Sequence, residues 1–113
     1  MLKYLFALLV LFVPLSGATQ SPSIARVSAL ANGKLLLNGR TVELPTMEQE
    51  FQRLKGSHGT VWYYRENPQS EPPPQAMDVI KLVIQYGLPL SMSSKPDFSD
   101  YVDANGRSQP RKP

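Results

Sequence analysis

The chain has 113 residues, a formal net charge of +3 and no cysteine. The lack of cysteine excludes a disulfide framework, a thiolate metal site, a cysteine nucleophile and a lipid-modified cysteine. The charge excess is small and lies mainly near the C-terminus. Basic and aromatic residues do not alternate in a repeated pattern, so we expect no nucleic-acid partner.

The first 18 residues have the three-part layout of a secretory signal peptide. Lys3 supplies the positive charge, residues 4–13 form an unbroken apolar run, and Pro14 ends that run before the small residues that precede the cleavage site. We expect cleavage near Ala18 and a periplasmic or secreted mature chain with no stable membrane span. The alternative is an N-terminal membrane anchor, although a spanning helix needs about 20 apolar residues. Residues 19–23 are a short leader.

A β-hairpin or meander is predicted over residues 24–42. Residues 24–30 partly alternate between apolar and polar side chains, which favours a half-buried strand. Asn32-Gly33 and Asn38-Gly39 are turn signals, because both residue types tolerate positive φ. Residues 34–37, a lysine followed by three leucines, and the short segment 40–42 therefore read as two further strands.

An amphipathic helix and an interior strand are predicted next. Thr46 with Gln49 three residues later fits a capping box at the start of the helix. Met47, Phe51 and Leu54 follow at helical spacing and form one apolar stripe. Residues 60–64 carry large or β-branched side chains on both faces, which is typical of a strand inside a sheet.

A second helix is predicted from about residue 75 to 86, with an apolar face wider than contact with one sheet requires. Two interpretations stay open: the helix lies between the sheet and another element, or part of it meets a partner. Gly87 is placed to end this helix, and residues 88–92 form a last strand in which Pro89 suits a sheet edge. Residues 97–113 are predicted to be a flexible tail, acidic first and then basic.

These elements predict one α+β domain over residues 24–96. We expect a small two-layer sandwich in which the N-terminal hairpin or meander precedes an α-β-α-β series, with both helices packed on one sheet.

The order of elements resembles the periplasmic domain of the ExbD/TolR family, whose members belong to bacterial envelope energy-coupling systems. The resemblance covers roughly residues 24–93. The positions that carry it are Gly33, Leu37, Asn38, Gly39, Val42, Leu54, Arg65, Val79, Leu82 and Gly87. The resemblance implies a location in the cell envelope and a role connected with biopolymer transport. It also implies dimerisation through this domain and, as in TolR, association with peptidoglycan.

The chain departs from this family at its N-terminus. Family members resemble one another in a membrane helix with an Asp tied to use of the proton-motive force, whereas residues 1–20 contain no Asp or Glu. An ionisable group within the membrane is usually the functional one. Its absence argues against a proton-coupled subunit and favours a periplasmic module that is exported by itself.

A partner interface is the predicted functional site. Its basis is the wide apolar face of the second helix, together with aromatic and cationic residues near the end of the interior strand. We expect Trp62 in the core, and Arg65 facing either a carboxylate of a partner or glycan or a surface salt bridge. The candidate interface residues are Tyr64, Arg65, Val79, Leu82, Val83 and Tyr86.

No pattern of catalytic, metal-binding or cofactor-binding residues is recognisable. His58 lies between Gly56 and Gly59, so we expect it to be a loop residue. Asp97, Asp100 and Asp103 lie in a segment similar to part of an EF-hand loop, but the register fails, so we expect a solvated acidic turn.

The predicted function is therefore that of a non-enzymatic exported module that acts through a homodimer or an envelope protein partner. The alternatives are a peptidoglycan-binding protein or a small secreted hydrolase that uses Glu66 or Asp78.

Overall fold

The structure is a computed structural model that describes residues 23–112. The predicted signal peptide and almost all of the predicted leader lie outside the described residues. In chain order, the described elements are β1 (Ile24–Ala29), β2 (Leu35–Leu37), β3 (Arg40–Val42), α1 (Leu44–Gly56), β4 (Thr60–Arg65), α2 (Pro74–Gln85), β5 (Leu90–Ser93), β6 (Asp100–Val102) and β7 (Ser108–Pro110).

A five-stranded sheet with strand order β3-β2-β1-β4-β5 forms the centre of the domain. β1 pairs antiparallel with β2 and parallel with β4, and β4 pairs parallel with β5. The crossovers β3-α1-β4 and β4-α2-β5 run in the same direction across the sheet, and right-handed connections of this kind place both helices on one face. The predicted α+β class is confirmed, and β4 is an interior strand.

The two Asn-Gly steps form turns, as predicted. Asn38 and Gly39 have φ values of 51° and 86°, the left-handed pair that a tight two-residue hairpin requires. The Asn38 side chain also accepts a hydrogen bond from the Arg26 amide at 2.9 Å. The first turn is wider, since the Leu30 amide donates to the Lys34 carbonyl, and Gly33 supplies the positive φ.

The hydrophobic core lies between the helices and the face of the sheet that they cover. Met47, Phe51 and Leu54 of α1 are fully buried, so the predicted apolar stripe is confirmed. The sheet, α2 and the turn after α2 supply the remaining core side chains, which are Ala25, Val27, Ala29, Leu35, Val61, Tyr63, Ala76, Val79, Leu82, Val83 and Leu88.

α1 begins differently from the sequence prediction, whereas α2 begins within one residue of its predicted start near residue 75. α1 begins at Leu44 with Glu43 in the cap position and no side-chain cap, so the predicted capping box at Thr46 is wrong. The reason is Pro45, whose fixed φ suits the first helical turn and starts the helix earlier. α2 begins in the same way at Pro74. Neither helix of the described chain combines the length and hydropathy that crossing a membrane requires.

Residues 100–110 of the predicted flexible tail instead form a β-hairpin. β6 and β7 pair antiparallel and form a second, two-stranded sheet. The turn between them is built on Asp103, whose carboxylate accepts hydrogen bonds from the Asn105 and Arg107 amides at 2.9 Å each. This arrangement satisfies backbone donors locally, which is why a polar and charged segment can form a hairpin here.

Asp100 connects this hairpin to the end of β5 and is not in the solvated turn that the sequence suggested. It is only 2% exposed. Its carboxylate accepts hydrogen bonds from the hydroxyls of Ser93 (2.6 Å), Ser94 (2.5 Å) and Ser108 (2.6 Å) and from the Ser94 amide (3.1 Å). Burial by itself would raise the pKa of Asp100, but these hydrogen bonds outweigh it and hold the pKa well below its usual value.

We expect Asp100→Asn to lower the free energy of unfolding by about 1–3 kcal/mol near neutral pH, because the hydroxyls of Ser93, Ser94 and Ser108 lose their charged acceptor. Because the pKa of Asp100 is lower in the folded than in the unfolded chain, its ionised carboxylate contributes its full stabilisation above the unfolded-state pKa of about 3.9. That stabilisation is lost as the pH falls from there through the folded-state pKa. Urea unfolding of the wild type should therefore show a loss of stability below about pH 4 that is less steep in the variant.

Glu71→Gln is the matched control, since Glu71 is exposed in the loop before α2. Its unfolding free energy at neutral pH should equal that of the wild type. Equal stability and an equal acid slope for Asp100→Asn and the wild type would contradict the role assigned to this carboxylate.

Candidate functional site

The free edge of β5 is the strongest candidate for a functional surface. β5 is the last strand of the five-stranded sheet and pairs with β4 on one side. The Pro89 carbonyl accepts a hydrogen bond from the Val61 amide at 2.9 Å. Because backbone groups alternate in direction along a strand, Ser91 continues this ladder, and the N–H and C=O groups of Leu90 and Met92 point away from β4.

Two of the four β5 side chains are apolar and exposed, and none of the four is charged. Leu90 is 39% and Met92 41% exposed, and the other two residues of β5 are serines. Sheet edges that remain unpaired usually carry charges or proline as protection. The opposite edge follows that rule, since β3 presents the exposed Arg40 and Thr41. The β5 edge is therefore built like a surface that pairs with another strand.

A small apolar cavity lies beside this edge. It measures about 230 Å³ and is lined by Arg65, Pro68, Met92, Ser93, Ser94 and Val102. Its size suits one apolar side chain, which an added strand would place next to Met92.

The Arg65 side chain forms part of the wall of that cavity. Its guanidinium donates from Nη1 to the Pro68 carbonyl at 3.2 Å and from Nη2 to the Ser70 carbonyl. These bonds fix the proline-rich loop after β4, while the Arg65 Nε is buried without a hydrogen-bond partner among the described residues. Within residues 23–112 Arg65 forms no salt bridge, which was one of its two expected contacts, and its guanidinium binds the chain's own loop.

Val79, Leu82 and Val83 do not form the interface that was predicted for them. All three are buried in the core of the single chain. The physical reason is that α2 packs against both the sheet and α1, so its wide apolar face is used within the domain. The interpretation in which the helix lies between the sheet and another element therefore describes these residues. The large apolar side chains that α2 leaves exposed are Met77 and Ile84, the latter 73% exposed.

Tyr86 and Tyr64 make contacts within the domain as well. The Tyr86 hydroxyl donates to Glu48 Oε2 at 2.7 Å and accepts from Gln52 Nε2 at 2.9 Å, which joins the end of α2 to α1. The Tyr64 ring packs edge-on against Phe98, with ring centroids 6.4 Å apart. Of the six predicted interface residues, only Arg65 borders the cavity beside β5.

Residues 23–112 contain no cluster of three or more His, Cys, Asp or Glu side chains able to hold a metal ion. His58 lies in the turn after α1 with a φ of 57° and is exposed. Burial raises the pKa of the Tyr63 hydroxyl, an effect that the Arg65 charge partly offsets, but this ring belongs to the core.

The sequence predicted a last strand over residues 88–92 at a sheet edge, and β5 is that edge strand, but it was not predicted to be a functional surface, although a signal was present. Leu90 and Met92 alternate with serines, and no charge protects the strand. That pattern predicts a strand with one apolar face, and its exposure becomes visible only once the sheet order is known.

No protein-family model matches the chain, and the search of curated proteins finds no significant match.

Proposed function

We propose that the chain is a non-enzymatic exported module of the bacterial cell envelope that assembles through the free edge of β5. The observation that carries this proposal is the combination of outward backbone groups and exposed, uncharged side chains at Leu90 and Met92. An exposed apolar edge invites pairing with another extended segment. The proposed occupant is β5 of a second copy, which gives a homodimer.

Self-pairing of β5 satisfies the geometry of an antiparallel ladder. With Ser91 of each copy on the twofold axis, Leu90 of one copy lies opposite Met92 of the other. These are the residues whose N–H and C=O groups point outward, so each Leu90–Met92 pair can exchange two backbone hydrogen bonds. The apolar side chains then meet on one face of a continuous sheet, as an isologous interface requires.

The proposed location in the cell envelope is supported by the sequence alone. The signal-peptide pattern of residues 1–18 supports export, and the resemblance to the ExbD/TolR periplasmic domain supports a partner within the envelope. An extended segment of an envelope protein could occupy the same edge by the same backbone chemistry. The missing intramembrane Asp favours a module that binds and assembles over a subunit that couples protons.

We expect Met92→Lys to weaken self-association at least tenfold, because pairing would bury a charge opposite Leu90. Sedimentation equilibrium of the protein purified from a Gram-negative host measures this change. Thr41→Lys is the matched control, since it places the same charge on the exposed residue of the opposite edge, and it should associate like the wild type.

Two outcomes would contradict this proposal. One is a wild-type protein that stays monomeric at high concentration and captures no envelope protein, but co-sediments with purified sacculi. The other is an equal effect of the lysine substitutions on both edges.

Export is tested separately by intact mass and fractionation of the protein expressed from its full gene in the same host. We expect a mass corresponding to residues 19–113, recovered in the soluble periplasmic fraction. A full-length mass in the membrane fraction would contradict cleavage and would support the anchored alternative.

A further inference from the structure

A second surface lies on the face of the sheet opposite the helices. The strand register places Arg26 of β1, Trp62 of β4 and Ser91 of β5 side by side. Trp62 is half-buried there, so the expectation that it lies in the main core is wrong. Alternation along β4 turns Val61 and Tyr63 toward the helices and Trp62 away from them.

Two guanidinium groups lie against the Trp62 ring. The guanidinium carbon of Arg111 is 3.8 Å from the ring centroid and that of Arg26 is 4.9 Å away, both within cation–π range. Arg111 is held in place by hydrogen bonds from Nε to the Phe98 carbonyl at 3.1 Å and from Nη1 to the Ser91 hydroxyl at 3.0 Å. The C-terminal hairpin thus brings a fixed cation to the single tryptophan of the chain.

The positive charge at this surface is not neutralised by an ion pair within residues 23–112. The salt bridge found in that range joins Arg53 to Glu50 on α1, and the Arg111 Nη2 is buried without a hydrogen-bond partner. Burial lowers the pKa of Arg111; the Asp100 carboxylate opposes this, and the Arg26 charge lowers it further. The two arginine side chains therefore repel each other at a place where an anion would be stabilised.

A cavity of about 330 Å³ opens at this point. Its lining contains aromatic rings, cations and a proline but no acidic residue, and consists of Trp62, Tyr101, Pro110, Arg111 and Lys112. The volume is at the lower end for small-molecule sites and matches a group the size of one ring. Arginine and lysine side chains only donate hydrogen bonds, so the cavity favours a ligand rich in acceptor oxygens.

We propose that the surface formed by Arg26, Trp62, Tyr101, Arg111 and Lys112 binds an acidic sugar, that is, a sugar ring that carries a carboxylate. The C–H face of the ring would pack on the exposed part of the aromatic side chains. The carboxylate would pair with Arg26 or Lys112, both exposed, and the ring hydroxyls would accept hydrogen bonds from the same donors. Charge-assisted bonds of this type are the strong ones.

An acidic sugar fits this surface better than an acidic peptide. The ring of an acidic sugar can pack on Trp62 and Tyr101 while its carboxylate pairs with the cations, whereas the acidic side chains of a peptide offer no ring face to these aromatic residues. This site lies on a different face from the helices and needs no pairing at β5, so the proposal does not depend on the proposed dimer.

Trp62 itself provides the measurement, because it is the only tryptophan. We expect a short oligogalacturonate, titrated into the purified full chain, to change the Trp62 fluorescence in a saturable way that weakens with added salt. A neutral oligosaccharide of the same length should bind at least tenfold more weakly.

Variants locate the site. Lys112→Gln and Arg26→Gln should each raise the dissociation constant for oligogalacturonate about threefold or more. Lys55→Gln makes the same charge change on an exposed residue of α1 and should leave the constant unchanged.

Three outcomes would overturn the proposal. They are an absence of any fluorescence change with oligogalacturonate, an equal effect of all three variants, and tighter binding of a short polyglutamate than of oligogalacturonate. The last of these would assign the surface to acidic peptides.

Discussion

The two parallel crossovers determine which surfaces of this domain are available. β3-α1-β4 and β4-α2-β5 advance in the same direction, so both helices cover one face of the sheet and the chain leaves β5 as the terminal strand. The other face and the β5 edge are then left without a helix. Both surfaces to which we assign a role, the edge at Leu90 and Met92 and the cluster around Trp62, follow from this one constraint.

The C-terminal hairpin partly covers the open face, and the Asp100 carboxylate fixes its position. A buried carboxylate is costly unless it is hydrogen-bonded, and here the donors come from both ends of the connection: Ser93 and Ser94 at the end of β5 and Ser108 in β7. The same hairpin carries Arg111 onto Trp62. A structural interaction thereby supports a candidate binding surface, while Leu90 and Met92 at the edge of β5 remain exposed.

Local sequence patterns predicted most of the sheet and the packing of α1. The Asn-Gly turns, the stripe of Met47, Phe51 and Leu54 and the interior position of β4 all depend on residues close together in the chain. The start of α1 was mispredicted because proline in the first turn outweighed the capping residues. The hairpin over residues 100–110 was missed because its stability comes from Asp100, whose serine partners are six to eight residues away in sequence.

The candidate site was harder to predict, because exposure depends on the sheet order and on helix packing. Val79, Leu82 and Val83 form an apolar face that looked available in the sequence, yet α1 and the sheet bury it. Leu90 and Met92 looked like ordinary strand residues, yet no sixth strand joins the five-stranded sheet beside them within residues 23–112. In this domain the wide apolar face of α2 belongs to the core, whereas the two apolar residues of the short strand β5 lie at the exposed edge.

The central claim is that β5 pairs with another strand, and residue-resolved amide hydrogen exchange tests it most directly. The account predicts that the outward amides of Leu90 and Met92 exchange slowly at high protein concentration and rapidly on dilution, while the amides on the outer side of β3 exchange rapidly at both concentrations. Rapid exchange of Leu90 and Met92 at every concentration, with no envelope component able to slow it, would contradict the claim.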